Sequence, residues 1–253
     1  MFYLCYYIEE IKGWNMNCLI TGASVGIGKS LALKLASLNN NIYITYLSNE
    51  IKAKELQEQI INNYHVKCFI KKCDLRNEEN IKNVINDFYN KLGNIDLLIN
   101  NASISHDNLI VDKTKKEFMN VLEVNLVGTF LMTKHSLNYM KDGIVINMSS
   151  TDGIDTESIY NIDYASSKAG IISLTRCFAL TRQDIKFVSI APNWVDTEST
   201  REMNQEYLKE ELKRINQKEL IKVDYVVNKI IHIIGDKNIK SGSLIRIDGE
   251  DNE

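Results

Sequence analysis

The sequence predicts an α/β fold, a doubly wound parallel sheet of about seven strands with helices on both faces. Three observations carry that expectation. Short apolar runs alternate with amphipathic stretches along most of the chain. A glycine-rich turn joins the first such run to the first such stretch. The run 95–99 is nearly all apolar, as suits a central parallel strand buried on both faces.

Taken in order, Cys18-Leu19-Ile20 reads as the first strand and 29–35 as helix. A strand at 41–46 precedes a helix at 50–62, whose apolar residues Ile51, Leu56, Ile60 and Ile61 suit a helix face. Strand 66–72 and helix 78–92 follow, then strand 95–99 and helices over 115–125 and 127–140. Strand 143–148 leads to a long helix from 164 to 182, and strands at 187–190 and 243–247 complete the sheet. The single proline, Pro192, is expected to break the chain after strand 187–190. Beyond it, 198–216 is a polar helical stretch that suits a substrate lid or a solvated surface helix equally. No repeat or low-complexity linker divides 16–253, so one domain is expected.

At 253 residues and 44% hydrophobic composition the chain can bury a large core. A net charge of −3 and a pI of about 5.9 argue against nucleic acid as the main partner. Five cysteines without a Cys-x-x-Cys pair and four scattered histidines predict reduced thiols, no metal site and a cytoplasmic protein. The apolar stretch Phe2-Tyr3-Leu4-Cys5-Tyr6-Tyr7-Ile8 is too short to span a membrane and runs into Glu9-Glu10. Residues 1–15 are therefore expected to be a dispensable N-terminal extension, with Met16 as the functional start.

Two motifs carry chemistry. In Thr21-Gly22-Ala23-Ser24-Val25-Gly26-Ile27-Gly28 the glycines sit where a strand becomes a helix N-terminus. Free N–H groups and the positive dipole end can hold a pyrophosphate there. Gly22 permits the turn, Gly26 lets backbone approach a cofactor, and Gly28 allows close helix–strand packing. The second motif is Tyr164 and Lys168, a phenol and an ammonium one helical turn apart. The lysine charge is expected to lower the tyrosine pKa toward a range useful for proton transfer. Tyr225 and Lys229 match the same spacing in an ordinary amphipathic stretch. Context separates the two, because Tyr164 opens a helix after the strand ending Asn147-Met148-Ser149-Ser150.

From Met16 to Gly249 the chain resembles the short-chain dehydrogenase/reductases. The matching elements are 21–28, Asp74-Leu75, Asn100-Asn101-Ala102, Asn125-Leu126, Ser150, Tyr164/Lys168 and 192–197. The resemblance implies a Rossmann-type domain in which Tyr164 exchanges a proton with the substrate oxygen and Ser150 holds that oxygen. Lys168 would lower the Tyr164 pKa and bind the nicotinamide ribose, and Asn125 would position a water linked to Lys168. Ser149 competes for the serine role, and counting back from Gly153 favours Ser150. The implied cofactor contacts are Gly22, Ser24, Val25, Gly26, Ile27, Gly28, Ser48, Asn49, Asp74, Leu75, Asn101, Ala102, Tyr164, Lys168, Pro192, Val195 and Thr197. Asn100 and Asn101 are expected to pin the central strand, and Asp74 to contact the adenine.

Cofactor choice rests on the end of the second strand. No acid occupies positions 46–49, where NAD enzymes of this type grip the ribose 2′-OH. Ser48 and Asn49, with Lys52 nearby, predict NADP(H). The basic residue often found in the glycine turn is absent, position 25 being Val, which leaves NAD(H) open. Ser103 replaces the glycine usual after Asn-Asn-Ala, and Asn193 the glycine usual after Pro192, where it is expected to keep a left-handed turn. The stretch 150–164 is slightly long and carries Asp152, Asp155, Glu157 and Asp163 near the expected substrate entrance.

Within the family, 103–109, Val124-Asn125-Leu126 and Ile247-Asp248-Gly249 resemble the 3-oxoacyl-carrier-protein reductases. That subgroup implies reduction of a 3-oxoacyl thioester in fatty acid biosynthesis and an acyl carrier protein as partner. Lys209, Lys213, Arg214 and Lys218 could meet it, although Glu206, Glu210 and Glu211 dilute the patch. Dehydrogenation of a sugar, polyol or other small secondary alcohol is the alternative, and a non-catalytic cofactor-binding regulator a further one. The resemblance also implies a homotetramer or homodimer built through the helices carrying Asn125 and Tyr164.

Overall fold

Seven short strands alternate with helices in the computed structural model, which describes residues 15–249. All but the last residue of segment 1–15 lies outside the described residues. The strands are β1 (Asn17–Ile20), β2 (Asn41–Tyr46), β3 (Cys68–Lys72), β4 (Leu97–Asn100), β5 (Ile144–Met148), β6 (Lys186–Pro192) and β7 (Ser243–Ile247). They pair in the order β3-β2-β1-β4-β5-β6-β7, every pair parallel. Chain order reverses between β1 and β4, where the register sets Ile20 against both Ile44 and Ile99. A parallel sheet opens a crevice at such a switch point, beyond the carboxyl ends of the strands.

Side chains alternate across the pleat and divide the core in two. Cys18, Ile20, Ile42 and Ile44 face α1 (Gly26–Ser37), α2 (Glu50–Tyr64) and, near β6 and β7, the C-terminal helix of residues 223–235. Leu19, Tyr43, Leu98, Val145 and Phe187 face the other way, against α3 (Glu78–Leu92) and the helices that follow β4 and β5. Phe88 of α3 is fully buried against the Tyr43 ring, with centroids 5.4 Å apart. Polar residues start several helices. Asn77 accepts from the Glu79 and Asn80 N–H groups to begin α3. Thr114 and Glu117 form a capping box at the start of α4 (Lys115–Leu122).

The region expected as two helices over 115–125 and 127–140 differs from that reading. Helix α4 passes without a break through a π-helical turn (Glu123–Val127) into α5 (Gly128–Ser136). Asn125 lies in the middle of this turn and is fully buried. Single π turns inside α-helices recur at functional sites, because the extra residue re-aims the side chains around it. The next helix, α6 (Ile162–Ala179), starts two residues before Tyr164, which places that residue in its first turn.

Pro192 is the last residue of β6 and pairs in register with Ile247, so the strand runs two residues beyond Ile190 and ends at the proline. Asn193 is not among the residues of positive φ. It shapes the turn with its side chain, its Oδ1 accepting from the Trp194 N–H and the Thr151 hydroxyl. The polar stretch beyond folds as two helices, α7 (Glu198–Glu202) and α8 (Gln205–Arg214), before α9 (Val223–Gly235). Among the described residues no helix is long and apolar enough to cross a membrane.

A buried ion pair ties the loop after β4 to α6. Lys113 Nζ lies 3.0 Å from Asp163 Oδ2, with both side chains almost fully buried, and also donates to the His106 carbonyl. Asp163 Oδ1 accepts from the Tyr164 N–H at 2.9 Å. Removing one partner of such a pair strands the other charge in the interior, which costs about 3–5 kcal/mol. Lys113→Met should therefore lose about that much stability in urea unfolding, whereas Lys113→Met with Asp163→Asn should recover most of it. Losses that simply add would contradict the pairing.

Candidate active site

The glycine turn between β1 and α1 is fastened to the end of β4. Thr21 Oγ1 accepts from the Asn101 and Ala102 N–H groups at 3.0 and 3.1 Å. Asn101 Nδ2 returns donors to the Thr21 and Gly22 carbonyls, both at 3.0 Å. Gly22 and Gly26 have φ of +62° and +58°, a backbone conformation that glycine adopts without strain. A Cβ on Gly22 would stand 2.7 Å from Ala102 Cα, and one on Gly28 would stand 2.5 Å from Asn101 Nδ2. A Cβ on Gly26 would meet only Thr197, at 3.8 Å. The space over Gly26 is therefore open, and Thr197 stands across it. The first-turn N–H groups of α1, which lack intrahelical partners, converge there as a cradle for a pyrophosphate.

From this cradle a cleft of about 810 Å³ runs over the carboxyl ends of the strands. Gly22, Ser24, Val25, Gly26, Ile27, Ser48, Asn49, Asp74, Leu75, Asn101, Ala102, Ser150, Tyr164, Lys168, Pro192, Val195 and Thr197 all line it. Of the residues expected at the site, Gly28 and Asn125 are not on its surface and act from behind. Asn125 spends its side chain on the loop after β4. Its Oδ1 accepts from the Ile104 N–H, and its Nδ2 donates to the Ile104 carbonyl and the Ser167 hydroxyl. The Asn125 carbonyl accepts from the Thr129 hydroxyl at 2.7 Å. Asn100 Nδ2, deeper still, donates to Asn147 Oδ1 across the β4–β5 pair.

Asp74, expected at the adenine, is gripped by Arg76. Its Oδ1 accepts from the Arg76 N–H and Nε, and its Oδ2 from the outer guanidinium at 2.7 Å. Arg76 also lines the cleft and reaches Asn120, a contribution that went unread although a basic residue stands two places after the acid. Lys52 pairs with Glu198 at 2.7 Å, joining the start of α2 to α7. No carboxylate stands between Tyr46 and Asn49, and Ser48 and Asn49 are exposed.

At the other end, β5 and α6 bring three groups together. Gly153 packs so tightly on α6 that a Cβ would lie 2.5 Å from the Ala169 nitrogen. That close fit sets Ser150 against the helix, where it lines the same cleft wall as Tyr164 and its Oγ accepts from the Asp152 N–H. Ser149 is occupied elsewhere, its hydroxyl donating to the Lys168 carbonyl at 2.8 Å. Lys168 is 2% exposed, its Nζ donating to the Met148 carbonyl at 2.8 Å and lying 5.1 Å from the Tyr164 ring centroid.

The electrostatics differ from the expected lowering of the tyrosine pKa. Burial pushes the Tyr164 phenol well up, the Asp152 charge adds to the rise, and the Ser150 hydrogen bond opposes it. Burial also brings Lys168 down to about 7, against an upward pull from Asp152. A lysine so desolvated does not lower the tyrosine in the chain by itself. A group that hydrogen-bonds the ammonium would restore its charge and reverse that balance. The second pair, Tyr225 and Lys229, has nearly the same geometry at 5.3 Å but neither residue lines the cleft. The expected basic patch also shrinks. Arg214 grips Glu211 at 2.7 Å and donates to the Thr156 carbonyl, while Lys209, Lys213 and Lys218 are exposed.

A model of the short chain dehydrogenase family matches residues 16–208. The 3-oxoacyl-[acyl-carrier-protein] reductase of Aquifex aeolicus is 32% identical over 246 residues, 95% of this chain and 98% of that protein. The protein of that name from Thermotoga maritima is 30% identical over 243 residues, 92% of this chain and 96% of its own. Among solved structures, a dehydrogenase/reductase from Sinorhizobium meliloti superposes with a TM-score of 0.89 at 22% identity, covering 98% of this chain and all of that one. A short chain dehydrogenase from Burkholderia cenocepacia, in complex with NADP, superposes with a TM-score of 0.85 at 22% identity, covering 92% and 96% of the two chains. The chain belongs to the short-chain dehydrogenase family.

Proposed function

We propose that this protein is an NADP(H)-dependent oxidoreductase that interconverts a carbonyl and a secondary alcohol, with a 3-oxoacyl thioester as its first candidate substrate. One observation carries the reading: Ser150, Tyr164 and buried Lys168 line the one cleft that begins at the glycine cradle. The thioester comes from the names of the curated relatives. The cradle over Gly26, facing Thr197, fits a dinucleotide pyrophosphate. Absence of an acid at positions 46–49, with Ser48, Asn49 and Arg76 lining that end of the cleft, supports the 2′-phosphorylated form. The Burkholderia structure with NADP is consistent with that choice.

When bound, the nicotinamide supplies the hydride. Tyr164 Oη gives its proton to the carbonyl oxygen during reduction and takes it back during oxidation. Ser150 Oγ donates a hydrogen bond to the same oxygen and holds it beside the phenol. Lys168 would hold the nicotinamide ribose by a hydrogen bond, which would keep its ammonium charged and favour proton release from Tyr164. The Asn125 carbonyl, which already accepts from the Thr129 hydroxyl, would use its second lone pair for a water linked to Lys168. Asp74 and Leu75 would border the adenine, and Val195 and Thr197 the carboxamide.

A second reading, a sugar, polyol or other small polar alcohol as substrate, is favoured by the carboxylate of Asp152 in the cleft wall. A homodimer or homotetramer would form through the helices carrying Asn125 and Tyr164, where Met119, Val127 and Phe130 are exposed. An acyl carrier protein would meet Lys209, Lys213 and Lys218.

Replacing Tyr164 with Phe should lower kcat by about 10²–10⁴ while NADPH binding, followed by its fluorescence, stays within about twofold. Near-normal turnover would sink the assignment. A second expectation concerns stability. Lys168 titrates at 10.5 in the unfolded chain and at about 7 when folded. Between those values the unfolded chain binds the extra proton, so this residue makes stability rise with pH. Thermal unfolding of the cofactor-free protein from about pH 7 to 10 should show a gain that Lys168→Met flattens. Parallel profiles for the two proteins would contradict it.

A further inference from the structure

The wall beside Tyr164 holds a carboxylate that proton and hydride transfer do not use. Asp152, two residues after Ser150, lines the cleft yet is only 9% exposed. Thr156 Oγ1 donates to its Oδ1 at 2.9 Å and Asn161 Nδ2 to its Oδ2 at 2.8 Å. The two donors lock the carboxylate in place and leave acceptor capacity on each oxygen. Its backbone N–H donates to Ser150 Oγ at 3.2 Å, so the acid and the oxygen-holding serine belong to one turn.

No cation of the protein pairs with this acid among the described residues. Arg214, whose charge it feels, is committed to Glu211 and to the Thr156 carbonyl. Asp152 lines the same cleft as Tyr164 and Lys168 and is joined to Ser150 through its backbone N–H, which sets it beside the reacting groups. Asp107, at the mouth of the same cleft, adds a second negative charge felt by Tyr164. An alkyl chain laid over Asp152 would strip water from a carboxylate and return nothing. A thioester carbonyl would bring a second acceptor. A hydroxyl or ammonium group would return a charge-assisted hydrogen bond.

We infer that Asp152 is the specificity-determining residue of this cleft, accepting a hydrogen bond from a hydroxyl or ammonium group on the carbon next to the reacting carbonyl. The substrate class is then a small α-hydroxy or α-amino ketone, or the matching vicinal alcohol. The inference rests on the carbonyl–alcohol reading and decides between its two substrate classes. A site built around a substrate donor rejects the analogue that lacks it, often by far more than tenfold.

The test compares NADPH oxidation by the full chain with hydroxyacetone, aminoacetone, butanone and a 3-oxobutanoyl thioester. Hydroxyacetone or aminoacetone should exceed butanone in kcat/KM by at least about tenfold. Asp152→Val should bring that ratio close to one. Asp152→Asn, which keeps the shape and one acceptor oxygen, should retain part of the preference for hydroxyacetone and lose that for aminoacetone. Equal rates on all ketones, a ratio indifferent to Asp152, or a preference for the thioester overturns the inference. Where no carbonyl turns over, calorimetric titration of the NADP⁺-loaded protein with propane-1,2-diol and butan-2-ol decides. Diol-selective binding that depends on Asp152 upholds it, and indiscriminate or absent binding overturns it. Absence of NADPH binding in the unmutated protein, read by fluorescence, would instead overturn the oxidoreductase reading. The diol titration, run without cofactor, would still judge Asp152.

Discussion

The joint between Thr21 and Asn101 is the contact on which the rest of the site depends. β1 and β4 are neighbours in the sheet, but their following connections leave in opposite directions, and a crevice must open above them. The four hydrogen bonds between Thr21, Gly22, Asn101 and Ala102 hold the crevice floor at a fixed width. Each of these bonds ties a side chain to the backbone of the facing segment, so the joint tolerates little displacement. Gly22 and Gly28 lack side chains because Ala102 and Asn101 occupy the space a Cβ would need. Helix α1 therefore starts with its N–H groups aimed along the cleft. The hydrophobic faces on either side of the sheet supply stability, and this polar joint supplies the geometry.

The chemical end is built by the same kind of close approach. Gly153 seats the turn after β5 on the backbone of α6, and the Ser149 hydroxyl fastens it to the Lys168 carbonyl. Ser150 is thereby set in the cleft wall it shares with Tyr164, while the Lys113–Asp163 pair holds the loop after β4 against the first turn of the same helix. Burial sets the resting electrostatics. A desolvated lysine near neutrality and a phenol pushed upward describe a site that is idle until a polar ligand reaches the ammonium. Binding and activation are then coupled without movement of the sheet.

What the sequence made legible was local. The glycine turn, the Tyr164/Lys168 spacing and the apolar runs depend on residues a few places apart, and their positions follow from helix and strand periods. The count back from Gly153 that favours Ser150 over Ser149 uses a residue whose tight packing on α6 fixes where that turn sits. Features set by long-range burial were not legible. The π turn at Asn125 adds a residue that shifts the helical period, so one continuous helix reads as two. The Lys113–Asp163 pair joins residues far apart in the chain, and neither looks unusual alone. The direction of the Tyr164 shift depends on how much water surrounds Lys168, which no spacing reveals. Asn193 was expected to supply a left-handed backbone and supplies a hydrogen-bonding side chain instead.

The most direct test of the central claim follows the transferred hydrogen. The protein would be incubated with NADPH deuterated at C4 of the nicotinamide and a carbonyl substrate, and the alcohol analysed by mass spectrometry. The account predicts one deuterium on the carbinol carbon per turnover, from one of the two C4 labels only. NADPH bound in the cleft with no label reaching any of the ketones or the thioester would contradict it.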